Sequence, residues 1–181
     1  MNRVELYINM SDLKITSLNV KGLNHVIKRQ KILTLFKKEK CHIAFLQETH
    51  LTDLEHIKVH RNLVGQVFHS SFKYHSQGVA ILLHRSLPFT LDKAISDKEG
   101  LYVLISGYLF GEHILLGCIY APSTYESAFF HKLLADISDF SSSYILIGGD
   151  FNCISNPTVD QCPSRPFSSR KSLKLVDFAQ I

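Results

Sequence analysis

The segment YILIGGDFN, residues 144–152, begins with apolar residues and ends in small and polar ones. A short apolar run bounded in this way is typical of a buried β-strand, and we predict a strand over Tyr144–Gly149. Asp150 follows at the tip of that strand, where a carboxylate is costly unless something nearby needs its charge. Gly148 and Gly149 would let the backbone approach a ligand closely.

Three further predicted strands carry a polar residue at the same end. They are Leu13–Val20 with Asn19, Cys41–Gln47 followed by Glu48, and Glu112–Tyr120 with Tyr120. If the four strands are neighbours, their tips converge on one site with two carboxylates, amides and a phenol. Oxygen donors of this kind suit Mg²⁺, whereas zinc prefers His or Cys, which these tips lack. A cation beside carboxylates points to hydrolysis of a phosphoester.

Each of these residues also has a plainer interpretation. Glu48 with Thr49 could cap a following helix, and Tyr120 before Pro122 could be a packing residue of the core. Asp150 and Asn19 could stabilise turns through their own side chains. A single histidine such as His50 is more typical of a surface than of a metal site. A ligand-binding domain without catalysis therefore stays open as an alternative on these grounds.

The remaining elements indicate strands outnumbering helices in one mixed domain. A layer of helices on each side of two packed sheets would cover every apolar face. Two amphipathic helices are predicted, one over Val26–Glu39 with Ile27, Ile32, Leu35 and Phe36 on one face, the other over Tyr125–Phe140 with Ser123 or Thr124 as its cap. Further strands are predicted at Gln66–Ser70, Gly78–His84, Phe89–Ser96 and Tyr102–Leu109, and further helices at Asp53–His60 and Ser169–Ala179.

Composition and charge exclude several classes of protein. The 181 residues are 45% hydrophobic and 20% charged, which favours one folded domain over a disordered chain. The apolar runs are too short for a membrane span, and the first ten residues show no secretory signal. The four cysteines lack CxxC spacing, so we expect an intracellular protein, nuclear or cytoplasmic. A net charge of +4 includes two basic patches, at Lys28–Lys40 and at Arg165, Arg170, Lys171 and Lys174, which would suit a phosphate-rich partner.

Several blocks together resemble one known family. SLNVKGLN at residues 17–24, IAFLQETH at residues 43–50, IYAP at residues 119–122 and GGDFN at residues 148–152 stand in the order of its motifs. GVAIL at residues 78–82 and DKEG at residues 97–100 match further blocks. The chain is thus similar to the apurinic-endonuclease-like domain of LINE retrotransposons, in the endonuclease/exonuclease/phosphatase superfamily. The likeness runs from about residue 13 to the last residue, which predicts a domain over residues 13–181 after a short tail over residues 1–12.

The resemblance implies a fold, a reaction and roles for individual residues. The fold would be an α/β (α+β), four-layered αββα sandwich, incomplete at its C-terminal end. Glu48 would bind Mg²⁺, or Mn²⁺ as a substitute, with Asn19 beside it. Asp150 would position or activate water, Asn152 would hold Asp150 and the scissile phosphate, and Tyr120 would contact that phosphate. The substrate would be double-stranded DNA, cleaved to leave a 3′-hydroxyl; no membrane or protein partner is indicated.

One departure from the family pattern affects the expected activity. Family members complete the site with a C-terminal Ser-Asp-His block, whereas the last histidine here is His131. We therefore expect a truncated, impaired endonuclease, because catalytic groups that act as a unit lose most of their effect when one is missing. Two alternatives remain: a non-catalytic retrotransposon remnant that retains a metal- or DNA-binding surface, and a phosphatase of small phosphoesters. Asp160 is followed by Gln161 instead of the family's Arg, so no role is carried over to it.

Overall fold

The computed structural model describes residues 13–59, 63–72, 77–124 and 126–153. Within these residues the chain forms eight strands, three α-helices and one 3₁₀ turn. In chain order they are β1 (Ile15–Asn19), α1 (Val26–Lys38), β2 (Ile43–Gln47), α2 (Asp53–His56), the 3₁₀ turn (Ile57–Val59), β3 (Val64–Ser70), β4 (Val79–His84), β5 (Phe89–Ser96), β6 (Tyr102–Leu109), β7 (Glu112–Tyr120), α3 (Ser127–Ser138) and β8 (Tyr144–Asp150).

The strands form two mixed sheets of four strands each. The first sheet has the order β1-β2-β4-β3 and the second the order β5-β6-β7-β8. Within the first sheet β1 and β2 run parallel, and within the second β7 and β8 run parallel. The other neighbours are antiparallel. Each sheet therefore has one parallel pair at one of its edges.

The core follows from the alternation of side chains along each strand. In β2, Ile43 and Phe45 pack into a cluster with residues of the second sheet, such as Ile105 and Leu116. Ala44 and Leu46 of the same strand point to the opposite face, where Phe36 of α1 packs. Helix α3 covers the outer face of the second sheet through Phe129, Phe130, Leu133 and Ile137. The layers are thus helix, sheet, sheet, helix, and the predicted architecture is confirmed.

The predicted strands agree closely with those observed. The bounds of β5, β6 and β7 are as predicted, and the other five differ by one or two residues at an end. These strands are well marked in the sequence because apolar runs end at turns that must be polar. The helices Val26–Glu39 and Tyr125–Phe140 are also confirmed, although the first ends at Lys38 and the second runs from Ser127 to Ser138. The predicted helix over Asp53–His60 is one helical turn followed by the 3₁₀ turn.

Two local predictions about the helices are wrong. The N-cap of α3 is Glu126, which makes no side-chain capping bond, so neither Ser123 nor Thr124 caps it. In α1, Ile27 is 56% and Leu35 41% exposed, so these two do not join the buried face. Arg29 is buried instead, because its guanidinium donates to the carbonyl oxygens of Leu23 at 2.8 Å and Asn24 at 3.0 Å.

Two other findings concern the limits of the described residues. Every helix in the described ranges is too short or too polar to cross a bilayer. The predicted helix Ser169–Ala179 and the predicted basic surface of Arg165, Arg170, Lys171 and Lys174 lie outside the described residues.

Candidate active site

The two parallel strand pairs end at one edge of the sandwich. Asn19 at the end of β1 pairs with Gln47 of β2, and Tyr120 at the end of β7 pairs with Asp150 of β8. The sequence leads us to expect the four strands as neighbours in one sheet, but they are not. They form two pairs in facing sheets, and the tips still converge because both pairs end on the same side.

The amide of Asn19 joins the two carboxylates of the site. Its Nδ2 donates to Oε1 of Glu48 at 2.8 Å and to Oδ2 of Asp150 at 2.9 Å. Asn19 and Asp150 face the space between the sheets, because they continue the inward-facing positions of β1 and β8. The sequence-predicted residues Asn19, Glu48 and Asp150 are therefore in direct contact.

Two glycines before Asp150 let β8 reach this position. A Cβ on Gly148 would lie 2.7 Å from Cδ2 of Phe45 in the first sheet. A Cβ on Gly149 would lie 2.0 Å from the carbonyl oxygen of Ile119 in the neighbouring strand β7. A side chain at either position would push the strand away and take the Asp150 carboxylate with it. The sequence predicts close approach of a ligand at these glycines, whereas in the structure they allow close approach of Phe45 and Ile119.

Asn19 and Asp150 each stabilise a local turn in addition to meeting at the site. The backbone N–H of Lys21 donates to Oδ1 of Asn19 at 3.1 Å, and that of Asn152 donates to Oδ1 of Asp150 at 2.9 Å. These bonds fix both side chains before any ligand binds. The Nδ2 of Asn152 donates to the carbonyl oxygen of Ala121 at 2.8 Å, so it connects β8 to the end of β7.

Tyr120 is both a packing residue and a member of the site. Its ring is half-buried against the core between the sheets, and Glu48 and Asn152 lie near its hydroxyl. Burial of the phenol and the nearby Glu48 and Asp150 carboxylates raise the pKa of Tyr120 above its ordinary value. The hydroxyl therefore stays protonated at neutral pH and can act as a hydrogen-bond donor.

Glu48 does not cap the helix that follows it. Helix α2 has Thr52 as its N-cap, and the carboxylate of Glu55 accepts from the Thr52 backbone N–H at 3.1 Å. Glu48 is instead free to face the site, where its side chain is 22% exposed. The sequence predicts His50 as a surface residue, yet its Nε2 lies 3.7 Å from Oε2 of Glu48. In the sequence, this contact is indicated only by the spacing of Glu48 and His50, which are separated by one residue.

The donors at this edge fit a hard divalent cation. Glu48 and Asp150 supply carboxylate oxygens and Asn19 supplies an amide oxygen, whereas no cysteine lies among them. The described residues contain no cluster of three or more His, Cys, Asp or Glu side chains arranged to hold a metal ion. Mg²⁺ needs no such cluster, because one or two carboxylates commonly hold it while water and substrate phosphate complete its shell.

Comparison with known proteins finds a transposon protein with a similar sequence. The chain is 27% identical over 165 residues to the Transposon TX1 uncharacterized 149 kDa protein of Xenopus laevis. That similarity covers 90% of this chain but 13% of the transposon protein, so the chain spans a small part of this relative.

Three solved structures share the fold. The endonuclease domain of TRAS1, a telomere-specific non-LTR retrotransposon, aligns with a TM-score of 0.66 at 14% identity, over 93% of this chain and 69% of that domain. The Xenopus laevis APE2 catalytic domain has a TM-score of 0.66 at 19% identity, over 92% of this chain and 67% of its own. D. rerio TDP2, solved with a single strand DNA product, has a TM-score of 0.59 at 18% identity, over 78% and 61%.

The sequence as a whole can be compared with the pattern of residues that characterises the Endonuclease/Exonuclease/phosphatase family. Residues 16–170 match it, a range that contains Asn19, Glu48, Tyr120, Asp150 and Asn152. Because the match covers most of the sequence, this chain belongs to the Endonuclease/Exonuclease/phosphatase family.

Proposed function

We propose that this chain is a Mg²⁺-dependent endonuclease of LINE retrotransposon origin that hydrolyses phosphodiester bonds in double-stranded DNA. The observation that carries the proposal is the Asn19 amide, which holds the Glu48 and Asp150 carboxylates together between the two sheets. The family match and the similarity to two transposon proteins support the reaction class and the origin.

Glu48 would bind the cation, with the amide oxygen of Asn19 beside it, and Mn²⁺ would be a substitute for Mg²⁺. When bound, a divalent cation polarises a phosphoryl oxygen and stabilises the charge that develops there. Both residues are already oriented, because Asn19 is fixed by Lys21 and by the two carboxylates. A site fixed before binding loses less entropy when the substrate arrives.

Asp150 would orient the attacking water and accept its proton. Each of its oxygens already accepts one hydrogen bond, from Asn19 and from the Asn152 backbone, and each retains a lone pair for water. The water oxygen bonds to phosphorus while the bond from phosphorus to the 3′ oxygen breaks. That oxygen takes up a proton, so the products are a 3′-hydroxyl and a 5′-phosphate.

Tyr120 and Asn152 would contact the scissile phosphate. The Tyr120 hydroxyl is a protonated donor at the rim of the site, and Asn152 is exposed beside it. Neutral donors suit this position, because they can stabilise the negative charge that develops on phosphate oxygens. Outside the site, we propose that Arg165, Arg170, Lys171 and Lys174 contact the DNA backbone.

We also propose that the 181-residue polypeptide alone cleaves slowly. Its residues after His131 contain no histidine, so they do not supply the Ser-Asp-His block that the family resemblance implies. Glu48, Asn19 and Asp150 can stabilise only part of the transition-state charge without it. Joining the C-terminal segment of a LINE relative, including that block, should therefore raise the rate.

Nicking of supercoiled plasmid with and without Mg²⁺ tests this function. The extended polypeptide should nick in Mg²⁺, and Asp150→Ala should lower the rate by roughly 10²–10⁴-fold. Asp92→Ala removes a carboxylate that is 58% exposed on β5 and is the matched control. Absence of nicking by the extended polypeptide would favour a non-catalytic remnant. Strong nicking by the 181 residues alone, abolished by Asp150→Ala, would contradict the proposed impairment.

A further inference from the structure

The segment that carries Glu48 has an unusual backbone. Glu48 has a φ of 52° and His50 a φ of 54°, both in the left-handed region. Residues with a Cβ seldom adopt this conformation, and it persists where the surrounding structure holds it in place. Two such residues on either side of Thr49 indicate that the segment is held firmly by its neighbours.

Backbone hydrogen bonds supply part of this hold, and they come from two directions. The loop after β1 donates to the carbonyl oxygens of Glu48 and Thr49, and the residues before β4 accept from the N–H groups of Thr49 and His50. The four bonds are Gly22 N to Glu48 O at 2.6 Å, Leu23 N to Thr49 O at 2.8 Å, Thr49 N to Gly78 O at 2.9 Å and His50 N to Gln77 O at 2.9 Å.

The side chain of Thr49 supplies a further contact. Thr49 is completely buried, and its Oγ1 lies 3.4 Å from Nε2 of His56, which is also buried. The Nδ1 of His56 lies 3.0 Å from the carbonyl oxygen of Thr52 and 3.3 Å from Oγ of Ser71. A carbonyl oxygen can only accept, so Nδ1 carries the proton and Nε2 is the acceptor. The Thr49 hydroxyl therefore donates to His56.

Both partners of this bond are packed tightly. A Cβ on Gly78, whose φ is 93°, would lie 2.6 Å from Oγ1 of Thr49. On the other side, the ring of His69 stacks on that of His56 with 4.0 Å between centroids and 4° between planes. Neither the hydroxyl nor the imidazole can move away without disturbing these neighbours. The bond therefore connects the Glu48 segment rigidly to α2 and β3.

We propose that Thr49 and His56 are positioning residues that hold the Glu48 carboxylate in its cation-binding orientation through the hydroxyl-to-imidazole bond. The inference rests on the proposed function, because it requires Glu48 to bind the cation. Removing the bond leaves the carboxylate in the chain but frees the segment that carries it. Cation affinity should then fall even though no ligand atom has been lost.

Calorimetric titration of Mn²⁺ into folded variants tests the proposal. Thr49→Val keeps the shape but removes the hydroxyl, and it should weaken binding by about tenfold, the lower end of the effect of removing a group that supports a metal ligand. Thr49→Ser keeps the hydroxyl and should bind as the wild type does. Ser106→Ala removes another buried hydroxyl, on β6, and controls for a general loss of stability. Glu48→Gln should abolish measurable binding.

The outcomes separate this inference from the proposed function. Wild-type affinity in Thr49→Val, together with lost binding in Glu48→Gln, would overturn the positioning role and leave the function intact. Wild-type affinity in Glu48→Gln would overturn the ligand role of Glu48 and this inference with it. If Thr49→Val does not fold, the ¹⁵N spectrum of wild-type His56 decides: a protonated Nδ1 and bare Nε2 support the bond, and the opposite tautomer contradicts it.

Discussion

The Nδ2 of Asn19 lies 2.9 Å from Oδ2 of Asp150, although 131 positions separate the two residues in the chain. Asn19 belongs to an edge strand of the first sheet and Asp150 to an edge strand of the second. This bond therefore joins the two sheets at the end of the sandwich where the site lies. Since Asn19 also donates to Glu48, one neutral side chain bridges two carboxylates in a half-buried site.

Replacing Asn19 by alanine should destabilise the fold. The substitution removes both donated bonds and leaves the Glu48 and Asp150 carboxylates facing each other. Hydrogen bonds to charged groups contribute a few kcal/mol, so the free energy of unfolding should fall by about 2 kcal/mol in the absence of divalent cations. Urea unfolding measures this change. Asn24→Ala is the control because Asn24 is exposed, and an equal effect from both variants would contradict a special role for Asn19.

Binding of Mg²⁺ should raise the melting temperature of the wild type. A cation that binds the folded state stabilises it by mass action, by about 2.7 kcal/mol at a hundred times its dissociation constant. Glu48→Gln should melt at the same temperature with and without Mg²⁺, since the amide replaces the charged ligand. A scan of unfolding against Mg²⁺ concentration distinguishes the two. An equal rise in Glu48→Gln would remove Glu48 from the cation site.

The sequence predicts the strands and the site's main residues for a local reason. Apolar runs and the polar residue at each tip are adjacent in the chain, so the strands leading to Asn19, Glu48, Tyr120 and Asp150 can be recognised singly. The resemblance to the family adds Asn152 and the order of the blocks. The pairing of these strands is not predicted, because whether two of them share a sheet or lie in facing sheets depends on packing between distant parts of the chain.

The parts that the sequence does not predict depend on contacts over long distances. Thr49 and His56 appear as ordinary loop and helix residues until the buried bond between them is seen. The burial of Arg29 is equally unpredictable, since a basic residue in a basic helix is expected to be exposed to solvent. Only the structure shows that its guanidinium donates to two carbonyl oxygens. Helical periodicity alone assigns Arg29 to the exposed face.

The basic residues after the site should govern the salt dependence of DNA binding. The stretch Gln161–Val176 contains no Asp or Glu, and it holds four basic residues: Arg165, Arg170, Lys171 and Lys174. Each phosphate contact should contribute about one unit to the slope of log affinity against log salt concentration. Changing all four to glutamine should flatten that slope, measured by fluorescence anisotropy with a DNA duplex. An unchanged slope would mean that these residues do not touch the backbone.

Lys132 should stabilise the turn between β5 and β6 through Asp97. The Nζ of Lys132 lies 2.5 Å from Oδ1 of Asp97, whose side chain is 5% exposed. Oδ2 of Asp97 accepts from the backbone N–H groups of Glu99 at 2.9 Å and Leu101 at 3.3 Å. Lys132→Met keeps the length of the side chain but leaves the buried carboxylate without its cation, so unfolding should become easier by about 2 kcal/mol.

Urea unfolding of Lys132→Met measures that loss. Lys93→Met is the matched control, since Lys93 donates to the exposed backbone oxygen of Asp139 at 3.1 Å rather than to a buried carboxylate. A loss of similar size in both variants would contradict the role given to Asp97.

Stability should fall as the pH is lowered from about 6.5 towards 4, and His56 should be one cause. Burial first, and then the charge of His69, lowers the pKa of His56 to about 4, while Thr52, Asp53 and Glu55 act in the opposite direction. Between these pH values the unfolded chain binds a proton that the folded chain excludes. The stability that depends on neutral His56 is therefore complete above pH 6.5 and is lost as the pH falls to 4.

The size of this effect follows from the shift in the His56 pKa. A change from 6.5 to about 4 corresponds to about 3 kcal/mol at most. Unfolding free energies measured from pH 7 to pH 4 should show the decline, and His56→Gln should make it shallower because the variant has no proton to bind there. His131→Gln removes an imidazole from the exposed face of α3 and serves as the control. The same steep decline in His56→Gln would contradict the assignment, because the protons taken up on unfolding would then belong to other groups.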